Sequence, residues 1–263
     1  LTAMIIVLQI LSASICISAE NAGNTDIVLK SNQSTEKRIA VAEEGEYELT
    51  IFFKPLSAGT QKIDYAVKVD GGYSFAEAAE LEARVIYEDA GKIRTLSNGD
   101  QSAPKQKQKE GYMSSKAYDK TGVRLTPYTF HLTAGTHTVT VENIGDSFAF
   151  NDIVFAKPEE IKSYDEVSAE YSAYKKYDGK QQVIEAENAL YRNDYSLTAK
   201  ADTGSTDISP KSAVNSMINY IGGSTWSQPN QELAWEIEAP EDGLYKLGFQ
   251  FKQNTVMNGS AYR

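Results

Sequence analysis

Residues 43–54 read EEGEYELTIFFK, and residues 241–252 read EDGLYKLGFQFK. Laid side by side without a gap, Gly45 falls on Gly243, Tyr47 on Tyr245, Leu49 on Leu247, Ile51 on Phe249, Phe53 on Phe251 and Lys54 on Lys252. From the tyrosine to the last phenylalanine, the matched residues recur at every second position. A β-strand sends alternate side chains to one face, so each copy predicts a strand with one apolar stripe against a core. The acidic residues and glycine just before it supply the turn that leads in. Agreement at the glycine and the lysine, which lie outside the stripe, reads as duplication rather than shared strand patterning.

Working outward, the copies lie 198 positions apart, the span of one unit with its connector. More than a hundred residues follow the first copy and 11 follow the second, so the expectation is a second unit that stops before its closing strands. In the first unit, expected over 23–157, Ile63, Tyr65, Val67 and Val69 alternate into an Asp70-Gly71-Gly72 turn. Residues 75–87 suit a short helix or an irregular strand, and 91–122 read as a long exposed loop. Strand patterns return at 128–132, 136–141 and 148–155. Many short strands with glycine turns predict an all-β antiparallel sandwich. Between the units, Ile161, Tyr164, Val167, Tyr171 and Tyr174 recur at helical spacing, so 158–180 is expected to be a connector helix opened by Pro158 and stopped near Gly179. Its apolar face is expected to pack on a unit. The second unit is expected over 181–263.

Residues 1–22 stand apart. Met4 to Leu11 form an apolar run followed by small residues, the pattern of a signal peptide, with cleavage expected after Ala19 or Ala22. Gln9 and the serines make a membrane span the poorer reading, and Ile15 before the sole cysteine, Cys16, disfavours a lipid anchor. The expected protein is therefore secreted, and without cysteine once the leader is removed. A net charge of −10 argues against nucleic acid and anionic membrane surfaces, which attract clustered Lys and Arg.

The strings IEAENALYRNDYSL (184–197), IGGSTW (221–226) and ELAWEIEAPEDGLYKLGFQFKQN (232–254) resemble the N-terminal tandem β-sandwich region of bacterial extracellular solute-binding proteins of ABC transporters. GTHTVTV (135–141) and FNDIVF (150–155) resemble the two closing strands of the same fold. Both units are similar to galactose-binding-like jelly-roll domains, the fold of several carbohydrate-binding module families. That resemblance implies a carbohydrate partner, and through a further domain an ABC transporter complex. It also implies a structural calcium, held by Glu185 and Glu187 with an acidic residue of the last strand, for which Asp152 stands in the first unit. On a strand, Glu185 and Glu187 would share a face within reach of one hard cation; the plainer reading makes them surface or hydrogen-bonding residues.

Trp226, after Gly222-Gly223, is a candidate to stack on a sugar, or else to bury its ring and anchor the loop. Tyr191 and Tyr195 are further ligand candidates, and Trp235, alternating with Leu233 and Ile237, is expected in the core. His131 and His137 sit in expected strands as surface or packing residues. No nucleophile elbow or phosphate loop is present; the plentiful carboxylates leave a paired acid and base open, and the chain is not expected to be an enzyme. Three readings follow: an accessory region of a solute-binding protein, a module of a secreted glycoside hydrolase, or a cell-surface spacer.

Overall fold

The computed structural model describes residues 16–18, 26–172 and 174–252. The greater part of the expected signal peptide lies outside these residues. Two compact units emerge: one holds Ile15–Glu159 with Gln182–Ile237, and the described part of the other comes from Glu160–Gln181 and 238–252. This grouping differs from the expected modules at 23–157 and 181–263, since 182–237 belongs with the first sandwich.

The larger unit is an antiparallel β-sandwich of jelly-roll type. Its strands are β1 (Cys16–Ser18), β2 (Ile27–Leu29), β3 (Ser34–Val41), β4 (Gly45–Pro55), β5 (Lys62–Val69), β6 (Leu81–Arg84), β7 (Tyr87–Asp89), β8 (Arg94–Thr95), β9 (Gln101–Ser102), β10 (Gln106–Gln108), β11 (Met113–Lys116), β12 (Thr129–Leu132), β13 (Gly135–Asn143), β14 (Phe148–Ala156), β15 (Tyr191–Arg192), β16 (Ala199–Lys200), β17 (Tyr220–Ile221) and β18 (Leu233–Ala234). One sheet runs β1-β14-β4-β11, with β12 also on β4 and β2 also on β14. The other runs β3-β13-β5-β6.

β4, the first copy of the repeat, lies at the centre. Tyr47, Leu49, Ile51 and Phe53 are at most 1% exposed, and the facing sheet contributes Ile39, Ile63, Tyr65, Val67, Val139 and Val141 to the same core. Truncating an aromatic such as Phe53 to Ala would cost about 3–5 kcal/mol. β14 pairs with β4 through a bulge between Phe150 and Asp152, which breaks the strict alternation there.

The expected loop over 91–122 is more ordered than its polar composition predicts. It carries β8 to β11, and β11 pairs with β4 from Met113↔Phe53 to Lys116↔Thr50. Met113 and Ala117 are the anchors, 3% and 0% exposed; two buried apolar side chains among many polar ones leave little periodic signal. Residues 75–87 resolve into a 3-10 turn at Ala76–Ala79, then β6 and the start of β7.

Residues 182–237 are tied to this sandwich by backbone pairing and by charge. A small sheet runs β10-β7-β15-β18, so β7 of the first half pairs with β15 of the second. Arg192 on β15 is 0% exposed, with Nη1 2.9 Å from Asp89 Oδ1. Arg84 meets Asp194 at 3.2 Å.

In the smaller unit the helix α1 spans Tyr164–Tyr171, shorter than expected. Ser163 caps it through a reciprocal pair with Glu166, so Pro158 lies ahead of the helix and not in its first turn. The helix buries none of its residues, and Ile161 and Tyr164 are exposed. The second copy of the repeat keeps one local signature of the first. Tyr47 donates its hydroxyl to Glu43 O at 2.7 Å, and Tyr245 does the same to Glu241 O at 2.5 Å. Beyond that the copies diverge: 241–252 holds a single bridge, Leu244 to Lys176, and Tyr245, Leu247, Phe249 and Phe251 are exposed. A strand exists only where neighbours take its backbone hydrogen bonds, and among the described residues this segment forms that one β-bridge.

Candidate functional site

The residues singled out in the sequence do not converge on one place. Glu185 and Glu187 lie in a turn, not on a strand; Asn188 N donates to Glu185 O at 3.0 Å, and the strand-face argument for them fails. Glu187 is 3% exposed, and its Oε2 is buried with no hydrogen-bond partner. Burial raises its carboxyl pKa, with a further push from the Glu185 charge. Glu185 accepts from the Ser209 hydroxyl at 3.2 Å. Asp152 is taken up elsewhere: Lys37 Nζ sits 2.8 Å from its Oδ1, which also accepts from Ile153 N. Among the described residues no group of three His, Cys, Asp or Glu side chains is arranged to hold a metal ion.

The aromatic candidates are dispersed as well. Trp226 is half-buried, and its ring lies over Gly222, where a Cβ would stand 3.2 Å from it. Gly222 also has φ +87°, a conformation that favours glycine. Tyr191 lies under Lys109 at 5.6 Å. Tyr195 meets Tyr87 edge-on at 5.5 Å. Trp235 is half-buried rather than in the core, and its Nε1 donates to Ala186 O at 3.0 Å.

The structure instead brings together residues that the sequence reading, apart from weighing His131 as a surface or packing residue, passed over. An open groove of about 800 Å³ is lined by Phe75, Glu77, Asp119, Arg124, Tyr128 and His131, among others. Phe75 follows the Asp70-Gly71-Gly72 turn and Glu77 sits in the 3-10 turn at Ala76–Ala79. Asp119 and Arg124 come from the loop joining β11 to β12; Tyr128 precedes β12, and His131 lies on it. Phe75 and Tyr128 stack, with ring centroids 4.9 Å apart and planes 28° from parallel. Arg124 lies over the Tyr128 ring at 5.5 Å.

The Asp119 loop is built by its own carboxylate. Oδ1 accepts from Thr121 N at 2.8 Å and from Thr121 Oγ1 at 2.7 Å, while Oδ2 accepts from Arg124 N at 2.9 Å. These donors, Arg124 N first, hold the Asp119 carboxyl down at about 2. From 182–237, Asn230 Nδ2 donates to Asp119 O at 2.8 Å and secures the loop. His131 lies between Glu46, 3.1 Å from Nδ1, and Glu44, 3.3 Å from Nε2. The Tyr128 hydroxyl pKa is raised by burial, then by the charges of Asp119 and Glu77.

Apolar ring surface beside carboxylate and guanidinium groups suits a ligand with C–H faces and many hydroxyls. The Asp119 carboxyl, held down at about 2, is ionised at neutral pH and supplies no general acid. Asp-x-Thr-Gly at 119–122 was the one sequence signal of this loop, a side chain capping its own turn.

No family model and no curated protein matches the chain. Among solved structures, a Podospora anserina GH26-CBM35 β-(1,4)-mannanase aligns at 12% identity and TM-score 0.32, covering 55% of this chain and 25% of that one. The CBM36-1 domain of a multidomain xylanase from the hindgut metagenome of Trinervitermes trinervoides aligns at 9% and 0.30, covering 56% and 98%. A carbohydrate-binding module from Cellvibrio mixtus lichenase 5A, in complex with cellotriose, aligns at 10% and 0.27, covering 55% and 97%. This chain therefore spans a quarter of the mannanase structure's length and nearly the whole of the two isolated modules.

Proposed function

We propose that this chain is a non-catalytic carbohydrate-binding module whose glycan lies in the groove floored by Phe75 and Tyr128. The observation that carries the reading is the stacked pair, 4.9 Å apart, set among Glu77, Asp119 and Arg124. Sugar C–H faces bury against such rings, and hydroxyls exchange hydrogen bonds with the flanking charged groups. Glycan-array screening of the protein, followed by titration of Tyr128→Ala, tests it. Binding lost by tenfold or more in the variant, with its melting temperature kept, supports the groove; tenfold corresponds to about 1.4 kcal/mol. A protein that binds no glycan is a spacer, and one that hydrolyses its ligand is an enzyme; either result overturns the proposal.

Two finer readings belong with it. The resemblance of 183–254 supports a secreted module serving the solute-binding protein of an ABC transporter; a solute-binding or a glycosidase domain encoded in the same gene separates the two parent proteins. The buried, unpartnered Oε2 of Glu187 beside Glu185 supports a structural calcium at those two residues. Asp152, held by Lys37, does not fit that role.

A further inference from the structure

We propose that the two-stranded arm running from β7 to β10 binds a linear phosphodiester polymer, a polyol phosphate, along a row of lysines on β10. The site lies on other elements than the groove and does not depend on it. The net charge of −10 conceals a local reversal: residues 92–109 hold Lys92, Arg94, Lys105, Lys107 and Lys109 against one carboxylate, Asp100. Strand pairing gathers these cations onto one arm. β7 meets β10 from Tyr87↔Gln108 to Asp89↔Gln106. Ala90 N donates to Lys105 O at 2.8 Å, and β8 then pairs with β9, Arg94 opposite Ser102.

The strand itself sets the row. Lys105, Lys107 and Lys109 alternate with Gln106 and Gln108, so the lysines share one side at intervals of roughly 7 Å. All three are exposed, and both glutamines are half-buried. Gln106 Nε2 donates to Leu197 O at 2.9 Å and Gln108 Nε2 to Thr60 O at 2.8 Å, which fixes the opposite face. Much of the positive charge is left over. Glu88 takes Lys107 at 2.9 Å, but Asp89 is committed to Arg192 and Asp100 accepts from Ser216 N at 2.8 Å. Among the described residues, Lys92, Arg94 and Lys105 form no ion pair. Lysines on an open sheet edge can serve simply to repel other strands; Lys92 lies outside the strands, where no edge needs guarding. An ammonium is a point charge that meets a single phosphate oxygen well, whereas carboxylate recognition favours the guanidinium fork. A flexible chain with one phosphate per monomer brings a charge to each lysine in turn. Residues 105–109 carry no aromatic side chain on which bases could stack, so the row offers single-stranded nucleic acid charge alone.

Fluorescence-anisotropy titration of labelled poly(glycerol phosphate) with the full chain, over a range of salt concentrations, tests the proposal. Log affinity is expected to fall against log salt with a slope of about −2 to −3.5, from about 0.7 per contact over three to five cations. Lys105→Gln, at an exposed side chain, should weaken binding about fivefold and make the slope shallower by about 0.7. Lys246→Gln removes the same charge from the smaller unit and should change affinity by less than about twofold at matched salt. Absence of polymer binding, equal losses from Lys105→Gln and Lys246→Gln, or equally tight binding of polygalacturonate or of single-stranded DNA overturns the proposal. None of these results bears on glycan binding in the groove, which the array and Tyr128→Ala decide.

Discussion

Arg192 gives the sharpest test of whether 182–237 is part of the first sandwich. Its side chain is fully buried, with Nη1 bound to Asp89 Oδ1 at 2.9 Å and to Leu197 O at 3.2 Å. Nε and Nη2 are buried without partners. Replacing Arg192 by Ala strips the charge partner from Asp89 and opens a cavity, at a cost of about 3–5 kcal/mol. For a unit of this size that lowers the melting temperature by about 6–20 °C, at roughly 2–4 °C per kcal/mol. Because two guanidinium nitrogens are unsatisfied, attraction repays the burial of this pair only in part. Arg192→Met with Asp89→Asn should therefore recover most of the loss, to within about 1 kcal/mol of the parent.

The assay has a built-in reporter. Both tryptophans of the chain, Trp226 and Trp235, lie in 182–237, so fluorescence follows that segment while circular dichroism follows the sandwich. Coincident urea transitions mean one cooperative unit. If Arg192→Ala costs less than about 1 kcal/mol, or if fluorescence unfolds well before dichroism, the segment is an independent body and the reasoning fails.

Further outcomes follow from single sites. His137 sets Nδ1 against Asp70 Oδ2 at 2.7 Å and Nε2 against Thr133 O at 2.8 Å; two acceptors on two nitrogens favour the imidazolium, and its pKa is raised above 6.5, by Asp70 first. That stabilisation is complete below the unfolded pKa and lost as pH rises through the folded one, so the melting-temperature gap between the parent and His137→Gln should narrow from pH 5.5 to 9. Glu187 has a raised pKa from burial, so its ionised form works against folding; Glu187→Gln should leave the chelator-treated protein as stable or more so at pH 7. If calcium sits there, the calcium-dependent gain in melting temperature seen in the parent is absent from the variant. Tyr47→Phe should cost about 0.5–1.5 kcal/mol by removing the bond to Glu43 O, whereas Tyr245→Phe, at an exposed ring, should fall within about 0.5 kcal/mol of the parent by chemical denaturation.

The contrast between those two tyrosines shows how far the sequence could reach. Alternation places Tyr47, Leu49, Ile51 and Phe53 on one face wherever the segment is extended, and the local bond from Tyr47 to Glu43 is matched by that from Tyr245 to Glu241. Burial is not local. β4 is buried because β14, β11 and β12 flank it and the β3-β13-β5-β6 sheet faces it, and no pattern within 241–252 reports whether such neighbours exist. The groove stayed hidden for a related reason. Phe75 and Tyr128 are 53 positions apart, and their stacking depends on a turn after β5 meeting the start of β12. Arg192 was equally silent, since an arginine in a polar stretch reads as solvated until the fold sets Asp89 opposite it. Strand periodicity therefore exposes the core. Sites assembled from loops at one end of a sandwich depend on long-range closure, which periodicity does not encode.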